Sequence, residues 1–190
     1  MNDSSRSRPN ILIFCVDQMQ SYCLGCNGHP MLRTPNIDAL AAEGVTFTRG
    51  YCPNPVCSPS RASMLTGLTP RQHGLLTNGS SLPESVPTLP QLLAESGYRT
   101  HAVGKLHLQP IGGLANLPPG ASLEQRSDWD AGRTTDLPTP YYGFQSVDFV
   151  GGHVSFVFGH YRQWLDALDR QENCGVAAVG PTAAQEDAVK

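Results

Sequence analysis

Asn10-Ile11-Leu12-Ile13-Phe14-Cys15-Val16 is a continuous apolar run with β-branched residues, bounded by Pro9 and Asp17. A run this short without polar alternation reads as a strand buried on both faces. Strands of that kind belong to parallel sheets covered by helices, so the stretch predicts an α/β chain with a mostly parallel, helix-flanked sheet. In such sheets ligands bind beyond the carboxyl ends of the strands, which is where Asp17 and Gln18 fall. Taken alone, Asp17 is either a loop residue or a ligand to whatever binds there.

Working outward, the next informative stretch is Cys57-Ser-Pro-Ser-Arg-Ala-Ser-Met-Leu-Thr-Gly67. Ser58 suits an N-cap, Pro59 a first helical position and Gly67 a stop, which predicts a helix with Cys57 just outside its N-terminus. Unpaired N–H groups and the positive end of the helix dipole there favour a thiolate, an oxyanion or a bound tetraoxo anion. Arg61, one turn in, can reach toward the same spot. Pro53, Pro55 and Pro59 stiffen the approach. A lone cysteine beside a cap is usually a small buried side chain, so the residues around Cys57 carry the functional reading.

The rest of the chain punctuates itself. Thr34-Pro35 opens a helix over Asn36 to Glu43, stopped by Gly44, and Val45-Thr-Phe-Thr-Arg49 alternates as a half-buried strand. Thr88 has capping-box spacing to Gln91 and starts an amphipathic helix on Leu89, Leu92 and Leu93, ended by Gly97. Tyr98 to Val103 reads as a strand leading into Gly104-Lys105-Leu106-His107, and alternation puts Lys105 and His107 on one side. Pro110 to Tyr142 is rich in Pro, Gly, Asp and Arg and reads as a long irregular loop. Helical spacing returns from Phe156 to Arg170, with Val157, Tyr161, Trp164, Leu165 and Leu168 on one side. His73 reads as structural, and nothing ties His153 or His160 to a site. Asn173 to Lys190 has no apolar face and reads as a flexible tail.

Composition narrows the class of function. The 190 residues carry 13 Lys plus Arg against 16 Asp plus Glu, a formal charge of −3, with no basic run suited to nucleic acid or a membrane surface. Small-molecule chemistry is the default. Met1 to Pro9 lacks the apolar core of a signal peptide and no apolar stretch is long enough to span a bilayer, which gives a cytoplasmic expectation. The six cysteines, Cys15, Cys23, Cys26, Cys52, Cys57 and Cys174, are then mostly reduced. Cys23-Leu-Gly-Cys26 has half-zinc spacing with no second pair to complete a site.

Cys57-x-Pro59-Ser60-Arg61 with Leu65-Thr66-Gly67, together with Gly104-Lys105-x-His107 and the opening Pro9-Asn-Ile-Leu with Val16-Asp17, resembles the sulfatase family. Thr34-Pro-Asn-Ile-Asp38 with Leu40 and Gly44 is similar too. The resemblance implies an alkaline-phosphatase-like fold, here incomplete, with residues 1–172 the N-terminal part of the catalytic domain and 173–190 a tail. It implies that a formylglycine-generating enzyme oxidises Cys57 to formylglycine, and that one hydroxyl of the hydrated aldehyde attacks the sulfur of a small sulfate ester. The second hydroxyl then expels sulfate. By the same resemblance Asp17, Gln18 and position 57 hold a divalent metal, calcium or alternatively magnesium or manganese. Lys105 binds the sulfate oxygens, His107 hydrogen-bonds the formylglycine hydroxyl, Arg61 spreads negative charge and Asn78 contacts substrate.

Two departures matter. Many family members have a second Asp where this chain has Gln18, and the 190 residues contain none of the later Asp-Asn or Asp-His ligand pairs of the family. The resemblance therefore reads as an N-terminal portion. A phosphonate monoester or phosphodiester hydrolase of the same superfamily is the nearest alternative; a non-catalytic fragment and an enzyme using the unmodified Cys57 thiol are the others.

Overall fold

The computed structural model describes residues 8–112, 117–153 and 155–172. The chain divides into two compact units, residues 1–50 and 51–190, and the expected tail from Asn173 to Lys190 lies outside the described residues.

In the first unit two short 3₁₀ turns, Ser21–Cys23 and Gly25–Asn27, precede helix α1, Pro35–Glu43. Thr34 and Pro35 start α1 and Gly44 ends it, as the sequence predicts. The Thr34 hydroxyl accepts from the Gly25 amide and donates to Asp38 Oδ1, each at 2.8 Å, while the Cys26 amide donates to the same oxygen at 2.7 Å. Those bonds, the Thr34 hydroxyl first, hold the Asp38 carboxyl below the usual carboxylate range. Cys23 and Cys26 are free thiols. Neither Asn10–Val16 nor Val45–Arg49 forms the strand that its pattern predicts. Leu12 is 87% exposed and Phe14 83%, and among the described residues of this unit none is buried.

The second unit holds the core. Helices α2, Cys57–Thr66, and α3, Pro70–His73, are followed by α4, Leu89–Glu95. Strand β1, His101–Gly104, comes next, then the short α5, Arg126–Asp130, inside the otherwise irregular stretch. Strands β2, Ser146–Gly151, and β3, Phe158–Gly159, lead into α6, His160–Glu172. The sheet has the order β1-β2-β3. β1 runs parallel to β2 with His101 opposite Ser146 and Gly104 opposite Phe149. β3 is antiparallel to β2, and its Phe158 ring covers Gly151, where a Cβ would lie 2.1 Å from that ring. The sheet is therefore small and mixed.

Alternation along β1 and β2 sends Ala102, Val147 and Phe149 inward. Phe149 is fully buried between Trp129 and Phe158, with ring centroids 5.5 and 5.8 Å away. Leu65 and Ala62 of α2, with Leu75, Leu82, Leu106 and Leu108, belong to the same core. The expected helix from Phe156 starts only at His160, because Phe158 and Gly159 pair with β2.

Candidate functional site

Helix α2 begins two residues earlier than its sequence predicts. Val56 is the N-cap with extended backbone, so Cys57 is the first helical residue and Pro59 the third. Pro59 is tolerated there because the first-turn N–H groups have no partner within the helix. The Ser58 amide, one of those groups, donates to Asn78 Oδ1 at 3.0 Å. Asn78, expected as a substrate contact, thus caps α2 with its side-chain oxygen from across the loop. Gly67 ends the helix in the left-handed region, φ 70, as expected. Cys57 is a half-buried free thiol, and the neighbouring Ser58 hydroxyl is fully buried with no hydrogen-bond partner among the described residues.

Arg61 joins this helix to the second motif: its Nη1 donates to the backbone oxygen of Lys105. β1 stops at Gly104, so the strand alternation proposed for Lys105 and His107 does not extend that far. Instead His107 takes a left-handed backbone, φ 55, and is 1% exposed, while Lys105 stays half-exposed. The Lys105 ammonium lies 3.1 Å from His153 Nε2. His153, which the sequence ties to no motif, is thereby brought beside Lys105, whereas His160 packs edge-on against Trp129. The Phe149 amide donates to its Nδ1 at 2.9 Å and its Nε2 lies 3.1 Å from Asp136. His73 is structural as expected: it lies 3.0 Å from the Ser63 hydroxyl, and burial pushes its pKa below the ordinary histidine value.

Glu124, in the stretch that the sequence reads as irregular, lies against the same turn. It is fully buried, accepts the His107, Leu108 and Gln109 amides and the Tyr141 hydroxyl, and burial raises its pKa to about 7 against the opposing pull of those donors. Within a loop rich in Pro, Gly and Asp, nothing local distinguishes this carboxylate from a solvated one.

Asp17 and Gln18 occupy an exposed turn of the first unit, with Gln18 left-handed at φ 54. A carboxylate and an amide oxygen form a hard donor pair that fits calcium, magnesium or manganese as two of about six to eight ligands. Among the described residues no cluster of three or more His, Cys, Asp or Glu side chains is assembled.

A family model described as Sulfatase matches residues 9–168. The N-acetylgalactosamine-6-sulfatase of Homo sapiens is 42% identical over 113 residues, which cover 53% of this chain and 22% of the human one. An arylsulfatase of Clostridium perfringens is 38% identical over 104 residues, 54% of this chain and 22% of that one. Among solved structures, the phosphonate monoester hydrolase of Agrobacterium radiobacter aligns with a TM-score of 0.65 and 28% identity, over 92% of this chain and 32% of that one. The chain spans about a fifth of the length of the curated relatives it matches. With the family model matching most of its residues and carrying both motifs within the match, the chain belongs to the sulfatase family.

Proposed function

We propose that the protein is a sulfuric ester hydrolase in which Cys57 is converted to formylglycine and a divalent metal, calcium in the first instance, is bound, with Asp17 and Gln18 as hard oxygen donors. The observation that supports this reading most directly is the Arg61 bond to the Lys105 backbone, which joins the Cys-x-Pro-Ser-Arg helix to the Gly-Lys-x-His turn. Formylglycine supplies an electrophilic carbonyl whose hydrate is a nucleophile, and the metal supplies Lewis acidity. The chain's own residues do the rest. The N-terminus of α2 offers its dipole to a sulfate oxygen, Lys105 provides a mobile positive charge, and Arg61 keeps the lysine's backbone in place while adding charge of its own. His107, buried and set by a left-handed backbone, is held in one orientation for a hydrogen bond to position 57. The substrate reading is a small sulfate ester, since the human and clostridial relatives are named as sulfatases.

A second reading has its own support. The Agrobacterium enzyme, named for phosphonate monoesters, aligns with nearly the whole chain. A tetrahedral phosphonate presents similar anionic oxygens to Lys105 and α2, and Gln18 lowers the charge of the metal site relative to an Asp pair.

The test uses the full-length protein made with a formylglycine-generating enzyme. Peptide mass spectrometry is expected to show sulfur at position 57 replaced by oxygen with loss of two hydrogens, and an aryl sulfate to be turned over faster than a phosphonate monoester. Cys57→Ala is expected to lower turnover by at least about 10³-fold, because it removes the group that forms the covalent intermediate. An unmodified, alkylatable thiol in an active enzyme would sink the formylglycine reading. Preference for the phosphonate would move the assignment to the second reading.

A further inference from the structure

The turn after β1 is held by a carboxylate that the reaction itself does not call for. Glu124 Oε2 accepts the His107 amide at 2.7 Å, and Oε1 accepts the Leu108 amide at 2.9 Å and the Gln109 amide at 3.3 Å. The Tyr141 hydroxyl donates to Oε1 at 2.9 Å. Three consecutive N–H groups facing one anion form a nest, and the left-handed backbone of His107 is the kind of conformation that makes one. The surrounding polar groups close the same turn. Leu108 O accepts the Leu82 amide at 2.8 Å, and the Gln109 side-chain oxygen accepts the Leu123 amide at 2.8 Å, fixing the residue next to Glu124. Arg61 holds Lys105 O at the other end. Four donors converging on a fully buried group are all met by an ionised carboxylate, which only accepts; an amide would set an N–H against one of them, and an apolar side chain would leave all four unmet.

We propose that Glu124 is a positioning residue: it fixes the backbone from which Lys105 and His107 project, and so sets the direction in which both meet the substrate. The proposal takes the task of those two side chains from the sulfatase reading, and takes how they are held from the hydrogen bonds alone. Elsewhere in the second unit a buried carboxylate has a partner of opposite charge, as Asp128 has in Arg133 at 2.6 Å. Glu124 has backbone amides and a phenol instead, which tie it to one turn and hence to one part of the site.

The test uses the full-length, converted protein with Glu124→Gln, Tyr141→Phe, His107→Ala and the Glu124→Gln/His107→Ala double variant. Glu124→Gln is expected to lower kcat by roughly 10- to 100-fold through misplacement of the turn. In the double variant the loss should fall well short of the product of the two single losses, because the part of the Glu124→Gln effect that runs through His107 is already gone and only the misplacement of Lys105 remains. Amide hydrogen exchange at residues 107–109 should quicken in Glu124→Gln by about tenfold or more while that of α2 is unchanged. Additive losses in the double variant, or unchanged exchange at 107–109, would overturn the proposal. If exchange instead quickens throughout the chain in Glu124→Gln, Tyr141→Phe decides, since it removes the one side-chain donor to the carboxylate and leaves the amide bonds to be tested alone; a rise confined to 107–109 with a matching fall in kcat supports the proposal, and such a rise with kcat unchanged overturns it. Should the wild type turn over neither ester, the sulfatase reading fails, and the exchange pattern by itself decides whether Glu124 holds the turn.

Discussion

Residues 8–50 and 51–172 both contain stretches with strong strand character, and only the second stretch of chain uses them as strands. Ile11 to Val16 is the most continuous apolar run of the two, yet it pairs with nothing among the described residues and leaves Leu12 and Phe14 almost fully exposed. His101–Gly104 is shorter and less apolar, and it pairs in parallel with Ser146–Gly151, about which the core is built. A helix closes its hydrogen bonds within its own segment, so α1, α2 and α4 form close to where Thr34, Cys57 and Thr88 place them. A strand draws its hydrogen bonds from a neighbour that sequence pattern does not name.

The largest expected effect probes that difference directly. Phe149→Ala removes a fully buried ring from between Trp129 and Phe158 and should cost about 3–5 kcal/mol, read as a lower denaturation midpoint with an unchanged slope. Phe14→Ala, at 83% exposure, should change stability by no more than about 0.5 kcal/mol. A Phe14→Ala loss as large as the Phe149→Ala loss would mean that the first stretch is packed in solution and would break the contrast.

Acid–base behaviour sharpens it next. Burial raises the Glu124 pKa from 4.5 to about 7, so the folded state holds this proton more tightly than the unfolded state. Its contribution to stability is therefore fully present below pH 4.5 and is lost as pH rises through about 7. The difference amounts to on the order of 3 kcal/mol for a group this deeply buried. His73 acts oppositely: burial lowers its pKa, so its contribution is present above 6.5 and lost as pH falls. Asp128, whose carboxyl is held below 3.8 first by the Gly120 amide and then by Arg133, contributes above 3.8 and loses that contribution in stronger acid. Denaturation midpoints of wild type and Glu124→Gln between pH 4 and 8 should thus differ by a curve that changes only across the Glu124 window. A difference that is flat with pH would show that the Glu124 proton is bound equally in both states.

What could be read from the sequence follows the same division between local and distant. Cys57, Arg61 and Gly67 declare themselves because cap, charge and stop lie within one helix, and Lys105 and His107 sit two residues apart. Only the detail fails there: the helix takes Cys57 as its first residue, because Asn78 accepts the Ser58 amide from 20 residues away and leaves Ser58 no need to be the cap. His153 meets Lys105 across 48 residues, and Glu124 meets His107 across 17. Neither contact leaves a periodic or compositional trace. The parallel pairing of β1 with β2 was foreshadowed only as a class, since the strand that suggested it is not one of the two that form it.

The smallest effect concerns two threonines that sequence reading treats alike. Thr34 and Thr88 both stand as N-caps before proline-containing first turns. Thr88 is buried, accepts the Gln91 amide at 3.3 Å and donates to the Tyr142 backbone oxygen at 2.6 Å, so it ties α4 to the chain that enters β2. Thr34 makes no capping bond to its own helix and spends its hydroxyl on Gly25 and Asp38 within a half-exposed turn. Thr88→Ala should cost about 2 kcal/mol, the loss of a cap plus an unmet buried carbonyl, and Thr34→Ala under about 1 kcal/mol, where water can replace the hydroxyl. Denaturation of the two variants in parallel measures the gap. Thr88→Ser should recover most of the loss, because it keeps the hydroxyl that both bonds require. Equal costs for the two alanine variants would mean that burial at Thr88 adds nothing to the cap, and that the second unit owes its order to apolar packing alone.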